Sequence, residues 1–172
     1  MFWSIQLDDV LVDGNSTNYC NIAGANCLIT PDSGTSAITF PSPAFKKFDD
    51  VYGDEISCSE TDILNFGHLT FVIEGDHYNL PSHHWVRRDI DETDELGGKC
   101  KQHINALDVH QPGLKNLFIA GDLFMQLYFT VFDRDEDRVG LAHAHHTESE
   151  QLISYDQKGY LATVDTLSDY AY

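Results

Sequence analysis

The sequence Cys27-Leu28-Ile29-Thr30-Pro31-Asp32-Ser33-Gly34-Thr35-Ser36-Ala37-Ile38 sets a single aspartate in a Ser-Gly turn between two apolar runs. A glycine beside a carboxylate lets backbone amides approach it, which holds the side chain rigidly while it accepts several hydrogen bonds. Asp, Ser and Gly are also ordinary turn residues, so these three letters alone are typical of any turn. The role of the aspartate therefore depends on the rest of the chain.

Length and charge narrow the class of protein. The chain has 172 residues, of which 42% are hydrophobic, and this predicts one globular domain with its own core. Its net charge is -18, from 28 acidic and 10 basic residues, so neither nucleic acid nor an anionic membrane is expected as a partner. At neutral pH the acidic side chains repel one another, and this repulsion decreases as the carboxylates become protonated. The charge therefore fits a protein that works in an acidic compartment.

Targeting and cysteine signals are few. No apolar run is long enough to cross a bilayer, and the opening residues show neither a basic stretch nor an apolar signal core. The four cysteines are even in number and lack metal-finger spacing, which predicts two disulfides among Cys20, Cys27, Cys58 and Cys100 with three connectivities open. Asn15-Ser16-Thr17 is a glycosylation sequon, which mildly favours an oxidising secretory route.

The remaining pattern predicts many short strands with turn residues between them and two short helices, and hence an all-β domain. Residues 2–12 read as one strand, and a hairpin is expected at Glu74-Gly75-Asp76. One helix is expected over residues 44–52, with Ser42 as its N-cap, Pro43 at its first position and Gly53 at its end. The other covers residues 123–128 with Asp122 as its cap, followed by strands at 129–133 and 138–142.

Two polar features carry competing interpretations. Residues 89–95 are almost all acidic and predict a solvated loop, because the ligand spacing of a calcium-binding EF-hand is absent. A zinc site or a pH sensor is conceivable among five histidines, but surface histidines without function are favoured; they are His83, His84, His143, His145 and His146. Residues 147–172 are acidic and contain tyrosines, so we expect a tail beyond a domain of residues 1–146.

Three motifs stand in one order along the chain: Pro31-Asp32-Ser33-Gly34-Thr35-Ser36, then Phe118-Ile119-Ala120-Gly121-Asp122, then Tyr128-Phe129-Thr130-Val131-Phe132-Asp133-Arg134 with Arg138-Val139-Gly140-Leu141-Ala142. Together they resemble the C-terminal lobe of a pepsin-like (family A1, cathepsin D-like) aspartic endopeptidase, over roughly residues 2–144. The resemblance implies the β-rich lobe fold of the acid proteases. It also implies the disulfides Cys20–Cys27 and Cys58–Cys100.

The same resemblance implies roles for individual residues. Asp32 would be one of two catalytic aspartates, and the Thr35 hydroxyl would tie the two active-site loops together. Asp122 resembles a structural aspartate and not a second catalytic one. The residues implied to contact substrate or support the active site are Ser33, Gly34, Thr35, Ser36, Ile119, Ala120 and Gly121.

The implied chemistry needs two carboxylates that share one proton, of which the charged one activates water and the protonated one supports the leaving group. No metal, cofactor or nucleophilic side chain is implied, and an acidic pH optimum is expected. The chain has one Asp-Ser-Gly and no flap hairpin, so the isolated polypeptide is expected to be inactive. The implied partners are an N-terminal lobe, a peptide or protein substrate and a pepstatin-type inhibitor, in a lysosome-like, vacuole-like or extracellular compartment.

Two alternatives remain open at this point. The chain could be a non-catalytic binding or scaffold subunit that keeps the fold, although a scaffold has no chemical need for the Asp32 turn. Alternatively, two copies could each give Asp32 to one active site on a two-fold axis.

Overall fold

A computed structural model describes residues 3–22, 27–88 and 99–145 of the chain. Within these ranges strands dominate and the helices are short, which confirms the all-β prediction. The strands are β1 (Ile5–Gln6), β2 (Asp9–Val12), β3 (Asn15–Ser16), β4 (Leu28–Pro31), β5 (Ile38–Phe40), β6 (Ile56–Ser57), β7 (Leu69–Ile73), β8 (Asp76–Leu80), β9 (Val86–Arg88), β10 (Lys99–Gln102), β11 (Ile104–Ala106), β12 (Leu117–Ala120), β13 (Tyr128–Asp133) and β14 (Arg138–His143). The helices are α1 (Ser42–Tyr52), α2 (Glu60–Leu64), α3 (Ser82–Trp85) and α4 (Asp122–Met125), and Tyr19–Asn21 forms one 3-10 turn.

A five-stranded sheet in the order β1-β4-β12-β5-β11 carries the Asp32 segment. Strands β4 and β12 are parallel, with Leu28 opposite Leu117 and Pro31 opposite Ala120. Strand β5 returns antiparallel on the other side of β12. The turn between β4 and β5, which contains Asp32, therefore spans the end of β12.

Three smaller sheets complete the described fold. Strands β3-β2-β7-β8 form an antiparallel sheet, β6-β10-β9 form a second, and β13-β14 form a hairpin. The predicted hairpin is confirmed: Glu74 and Gly75 turn the chain with φ of 53° and 84°, and Ile73 pairs with Asp76. Positive φ at both central residues is what a tight turn between two right-twisted strands requires.

The core joins the two larger sheets through Phe40 of β5, which is fully buried. Its ring centroid lies 5.0 Å from that of Phe118 in β12, 5.5 Å from Phe48 in α1 and 6.5 Å from Phe71 in β7. These edge-to-face contacts fix α1 and both sheets around one aromatic cluster.

Two disulfides brace this core, and they are the pairs that the resemblance implies. Cys20 bonds to Cys27, and Cys58 bonds to Cys100. Cys27 and Cys100 are buried. The second bridge ties the segment between β6 and α2 to β10.

The predicted single strand over residues 2–12 is wrong, because the chain changes sheets within it. β1 pairs with β4, whereas β2 pairs with β3 and β7. Between them the Leu7 amide donates to Cys27 O and the Asp8 amide to Val72 O, and Leu7 is fully buried. The apolar run is therefore a buried crossover between two sheets.

Ser42 is not the cap of α1, as the sequence predicts, but its first residue, and Pro41 precedes it in an extended conformation. Pro43 is accordingly the second helical residue, while Gly53 ends the helix as expected. The Ser42 amide donates to Oδ1 of Asp108, at 3.0 Å. A carboxylate from a distant loop thus takes the place of a local cap.

The second predicted helix is shorter than expected, and its cap is different. Gly121 occupies the N-cap position, and Asp122 is the first helical residue, with no side-chain capping bond. Tyr128 instead begins β13, where it pairs with His143. Its ring is buried, 4.8 Å from that of Phe124, and its hydroxyl donates to Asn79 O. Burial raises the pKa of Tyr128 to about 12, so this hydroxyl stays a donor.

Several expectations lie outside the described residues. They are the strand start at Phe2, the acidic loop, His146 and the tail of residues 147–172. The division between residues 146 and 147 stays a prediction. None of the helices in the described ranges has the length and apolar character needed to span a bilayer.

Candidate active site

Asp32 lies where β4 ends, directly beside the end of β12. Because the two strands are parallel, their carboxyl ends share one edge of the sheet, and Asp32 meets Gly121 there. The Asp32 amide donates to Ala120 O at 3.0 Å, which continues the ladder one residue past β4. The buried pair Ile119 and Ala120 thus fixes the base of the Asp32 turn, as a supporting strand should.

The Asp32 carboxylate is held at both oxygens. The Gly34 amide donates to Oδ1 at 3.0 Å, and the Thr35 hydroxyl donates to Oδ2 at 2.8 Å. The two bonds together set the plane of the carboxylate. The side chain is partly exposed, so it remains accessible while being fixed in orientation.

Gly121 is a point of close approach between two backbone segments. The Asp122 amide donates to Thr35 O at 2.7 Å, which ties the start of α4 to the Asp32 turn. A Cβ atom at Gly121 would come far closer than 3.0 Å to the carbonyl oxygens of Thr35 and Ala37. Only glycine fits at this crossing, so its place in the hydrophobic-hydrophobic-glycine element has a steric cause.

The remaining predicted site residues lie around the same turn. Ser33, Gly34 and Ser36 are exposed beside Asp32, where a substrate could reach them. Thr35 is partly buried, and its hydroxyl hydrogen is used within its own loop. A hydroxyl also has acceptor lone pairs, so its implied role between two active-site loops stays a prediction.

Asp122 interacts electrostatically with Arg87, a cation that sequence reasoning does not single out. Arg87 is half-buried, and its Nε is buried with no hydrogen-bond acceptor among the described residues. Burial lowers the pKa of Arg87, and the charge of Asp122 acts in the opposite direction. The structural role that the resemblance implies for Asp122 stays a prediction.

The histidines do not gather into a site in the described ranges. Over residues 3–22, 27–88 and 99–145, no group of three or more His, Cys, Asp or Glu side chains is arranged to hold a metal ion. The rings of His83 and His84 contact each other in a tilted arrangement, with centroids 4.7 Å apart. The described histidines therefore add no metal site to the candidate active site, whose reactive group is the oriented Asp32 carboxylate.

The β13–β14 hairpin exposes large apolar side chains, of which Phe129 and Val131 lie on one face of the strand and Phe132 on the other. Phe129 is 63% exposed, Val131 48% and Phe132 39%. Phe132 also contacts Trp3, with ring centroids 5.6 Å apart. The exposed pair Phe129 and Val131 is therefore a candidate surface for contact with another structure.

Comparison with known proteins gives one consistent result. A sequence profile described as eukaryotic aspartyl protease matches residues 1–144. Cathepsin E-A of Xenopus laevis is 34% identical over 149 residues, which cover 82% of this chain and 34% of that relative. Pepsin A of Sus scrofa is 33% identical over 149 residues, 82% of this chain and 35% of its own. The chain spans about a third of the length of these curated relatives.

Proposed function

Because the chain belongs to the eukaryotic aspartyl protease family, we propose that it is the C-terminal lobe of a pepsin-like aspartic endopeptidase, with Asp32 as one of two catalytic carboxylates. The observation that carries the proposal is the Asp32 turn. A partly exposed carboxylate is held by the Gly34 amide and the Thr35 hydroxyl, on a base formed by β12. A carboxylate fixed so rigidly and yet accessible is arranged for reaction with an incoming molecule.

The proposed reaction is hydrolysis of a peptide bond by activated water. A second carboxylate a few ångströms from Asp32 shares one proton with it, because repulsion between two adjacent negative charges disfavours ionisation of both groups. The charged member takes a proton from water as the water attacks the carbonyl, and the protonated member donates to the developing oxyanion. Gly34 and Thr35 keep both Asp32 oxygens in place throughout.

The second carboxylate is proposed to come from an N-terminal lobe. The sequence has one Asp-Ser-Gly, and it spans about a third of its relatives' length. The apolar face of β13–β14 supports the same proposal, because Phe129 and Val131 are exposed where a second lobe could cover them. The isolated chain is then expected to lack peptidase activity, and pepstatin-sensitive proteolysis by purified monomer would contradict this.

The proposed setting is an acidic and oxidising compartment of the secretory pathway or the exterior. Two disulfides persist where thiols are not kept reduced. The repulsion that comes with a net charge of -18 at neutral pH decreases in acid, because carboxylates become protonated there. Peptides or proteins are the proposed substrates, and a pepstatin-type compound is the proposed inhibitor.

Replacement of the carboxylate tests the assignment. In the complete protein, D32N should reduce kcat by several orders of magnitude while leaving the thermal transition nearly unchanged, because the amide keeps the shape of the side chain. D137N is the matched control, since Asp137 is exposed in a turn at φ 50°, where asparagine is well tolerated. Turnover by D32N close to that of D137N would refute the catalytic role and favour a binding or scaffold subunit.

A further inference from the structure

The sequon Asn15-Ser16-Thr17 stands on an exposed and well-supported hairpin. Asp13 and Gly14 turn the chain from β2 to β3 with φ of 48° and 74°. The turn is fixed by His68, whose amide donates to Oδ1 of Asp13 at 2.9 Å and whose carbonyl accepts from the Asp13 amide. Asn15 is therefore displayed at a defined place, as the first residue of an outer strand.

The Asn15 amide nitrogen keeps one hydrogen available. Its Nδ2 donates to Asp13 O at 3.2 Å, and the side chain is exposed. An amide nitrogen carries two hydrogens, so one can be replaced while the other keeps this bond. Substitution at Nδ2 is thus compatible with the folded hairpin.

A groove of about 530 Å³ opens directly beside this amide. Asn15 and its hairpin form one wall, and the last turn of α1, with Val51 and Tyr52, forms the other. Val51 is 68% exposed at this wall. Neither Asp32 nor any other residue of its turn lines the groove, so the groove is separate from the candidate active site.

The groove offers the contacts that a sugar ring uses. The Tyr52 ring is half-buried and is held in place by Phe48, with centroids 4.9 Å apart. Burial, and then the charge of Asp13, raises the pKa of Tyr52, so its hydroxyl stays a neutral donor. Lys47 and Asp50 are exposed at the same wall and supply polar groups for hydroxyls.

We propose that Asn15 carries an N-linked glycan whose first N-acetylglucosamine lies in this groove, over Val51 and Tyr52. The donor is a lipid-linked oligosaccharyl diphosphate in the secretory pathway. The bond from Nδ2 to the sugar C1 forms and one Nδ2–H bond breaks, with the proton passing to a base. The C1–oxygen bond to the diphosphate breaks and leaves its electron pair on the phosphate oxygen. The inference rests on the secretory route in the proposed function and is independent of the peptidase chemistry.

Occupancy is tested on the complete protein recovered from the secretory pathway of a eukaryotic host. Wild type and the control S16A, which keeps the sequon, should both lose apparent mass on treatment with a peptide N-glycosidase. By mass spectrometry, the peptide that spans residue 15 should carry a glycan in wild type and S16A and none in N15Q, and N15Q should keep its peptidase activity, because Asn15 is outside the candidate active site. Wild-type protein with an unmodified Asn15, whether exported or retained in the cytosol, overturns the proposal.

Placement in the groove needs its own measurement. Covalent surface labelling should modify Val51 and Tyr52 less in the glycosylated protein than in the enzymatically deglycosylated protein or in N15Q. Leu107, which is 46% exposed and does not line the groove, is the internal reference and should not change. Equal labelling of Val51 and Tyr52 in all three samples shows that the glycan points into solvent and overturns this part. If the wild-type complete protein were fully glycosylated at Asn15 but had no peptidase activity, only the peptidase proposal would be refuted, and the glycan proposal would stand.

Discussion

Substitution of Gly121 by alanine tests whether the crossing of two backbone segments positions Asp32. Gly121 has φ -79° and ψ -159°, a conformation that does not demand glycine, so the effect of a methyl group is steric. The new Cβ would meet two carbonyl oxygens and also lie 2.9 Å from the Thr35 carbonyl carbon. These are backbone atoms and cannot rotate away.

The cost follows from the required movement. The carbonyl oxygens must retreat by roughly 1 Å to reach ordinary contact distance. The bond from the Asp122 amide to Thr35 O, now 2.7 Å, would then exceed hydrogen-bonding distance. Overpacking costs about 1–3 kcal/mol and the lost bond about 1 kcal/mol, so we expect G121A to lose about 2–4 kcal/mol.

The assay is thermal unfolding of the chain, followed by tryptophan fluorescence, since Trp85 is fully buried. A loss of about 2–4 kcal/mol corresponds to a decrease in Tm of roughly 5–15 °C for a domain of this size. G140A is the matched control, because its Cβ would lie 3.5 Å from the Val131 Cβ, an ordinary contact. A Tm for G121A equal to that of G140A would show that the crossing is not tight and would refute the reasoning.

Three further outcomes are expected. Replacing Cys58 and Cys100 with alanine should lower stability by about 4 kcal/mol, because the bridge closes a loop with a separation of 42 residues; an unchanged denaturation midpoint would contradict this. The hydrogen bonds from Ser42 lower the pKa of Asp108, so its stabilisation is present above about pH 3.9 and lost as the pH falls through the lower folded pKa. D108N should therefore cost about 0.5–1 kcal/mol at neutral pH and progressively less in acid, as denaturant titrations at several pH values would show. T35V in the complete protein should reduce kcat/KM roughly tenfold to a hundredfold, whereas T35S should retain most of it, and full activity of T35V would exclude its hydroxyl from the site.

The strand content and the hairpins could be predicted because they are local. The turn at Glu74 and Gly75, for example, is predictable from the conformational preferences of the residues at that position. The motif around Asp32 could be recognised because its residues are contiguous in the sequence and a second motif, around Ile119, follows it along the chain. The disulfide pairing needed the resemblance, since spacing alone leaves three choices.

Features that depend on distant residues escaped prediction. Nothing near Ser42 shows that Asp108 binds its amide, because the two residues meet only in the folded protein. The break between β1 and β2 was equally hidden, since an apolar run fits a buried crossover as well as a strand. Arg87 has no local signal that separates it from a surface cation, and its burial beside Asp122 appears only in three dimensions.

The parallel pairing of β4 with β12 has a consequence for the order in which the molecule assembles. Leu28 and Leu117 are partners on neighbouring strands, although roughly 90 residues separate them in the sequence. Such a contact forms only after the long loop between the two strands has closed. The entropic cost of loop closure therefore precedes the favourable free energy of strand pairing. On the ribosome, the Asp32 turn lacks its bonds to Ala120 and Asp122 until that later segment has been synthesised and released. A partly made chain that lacks β12 thus has only the bonds from Gly34 and Thr35 to orient the Asp32 carboxylate.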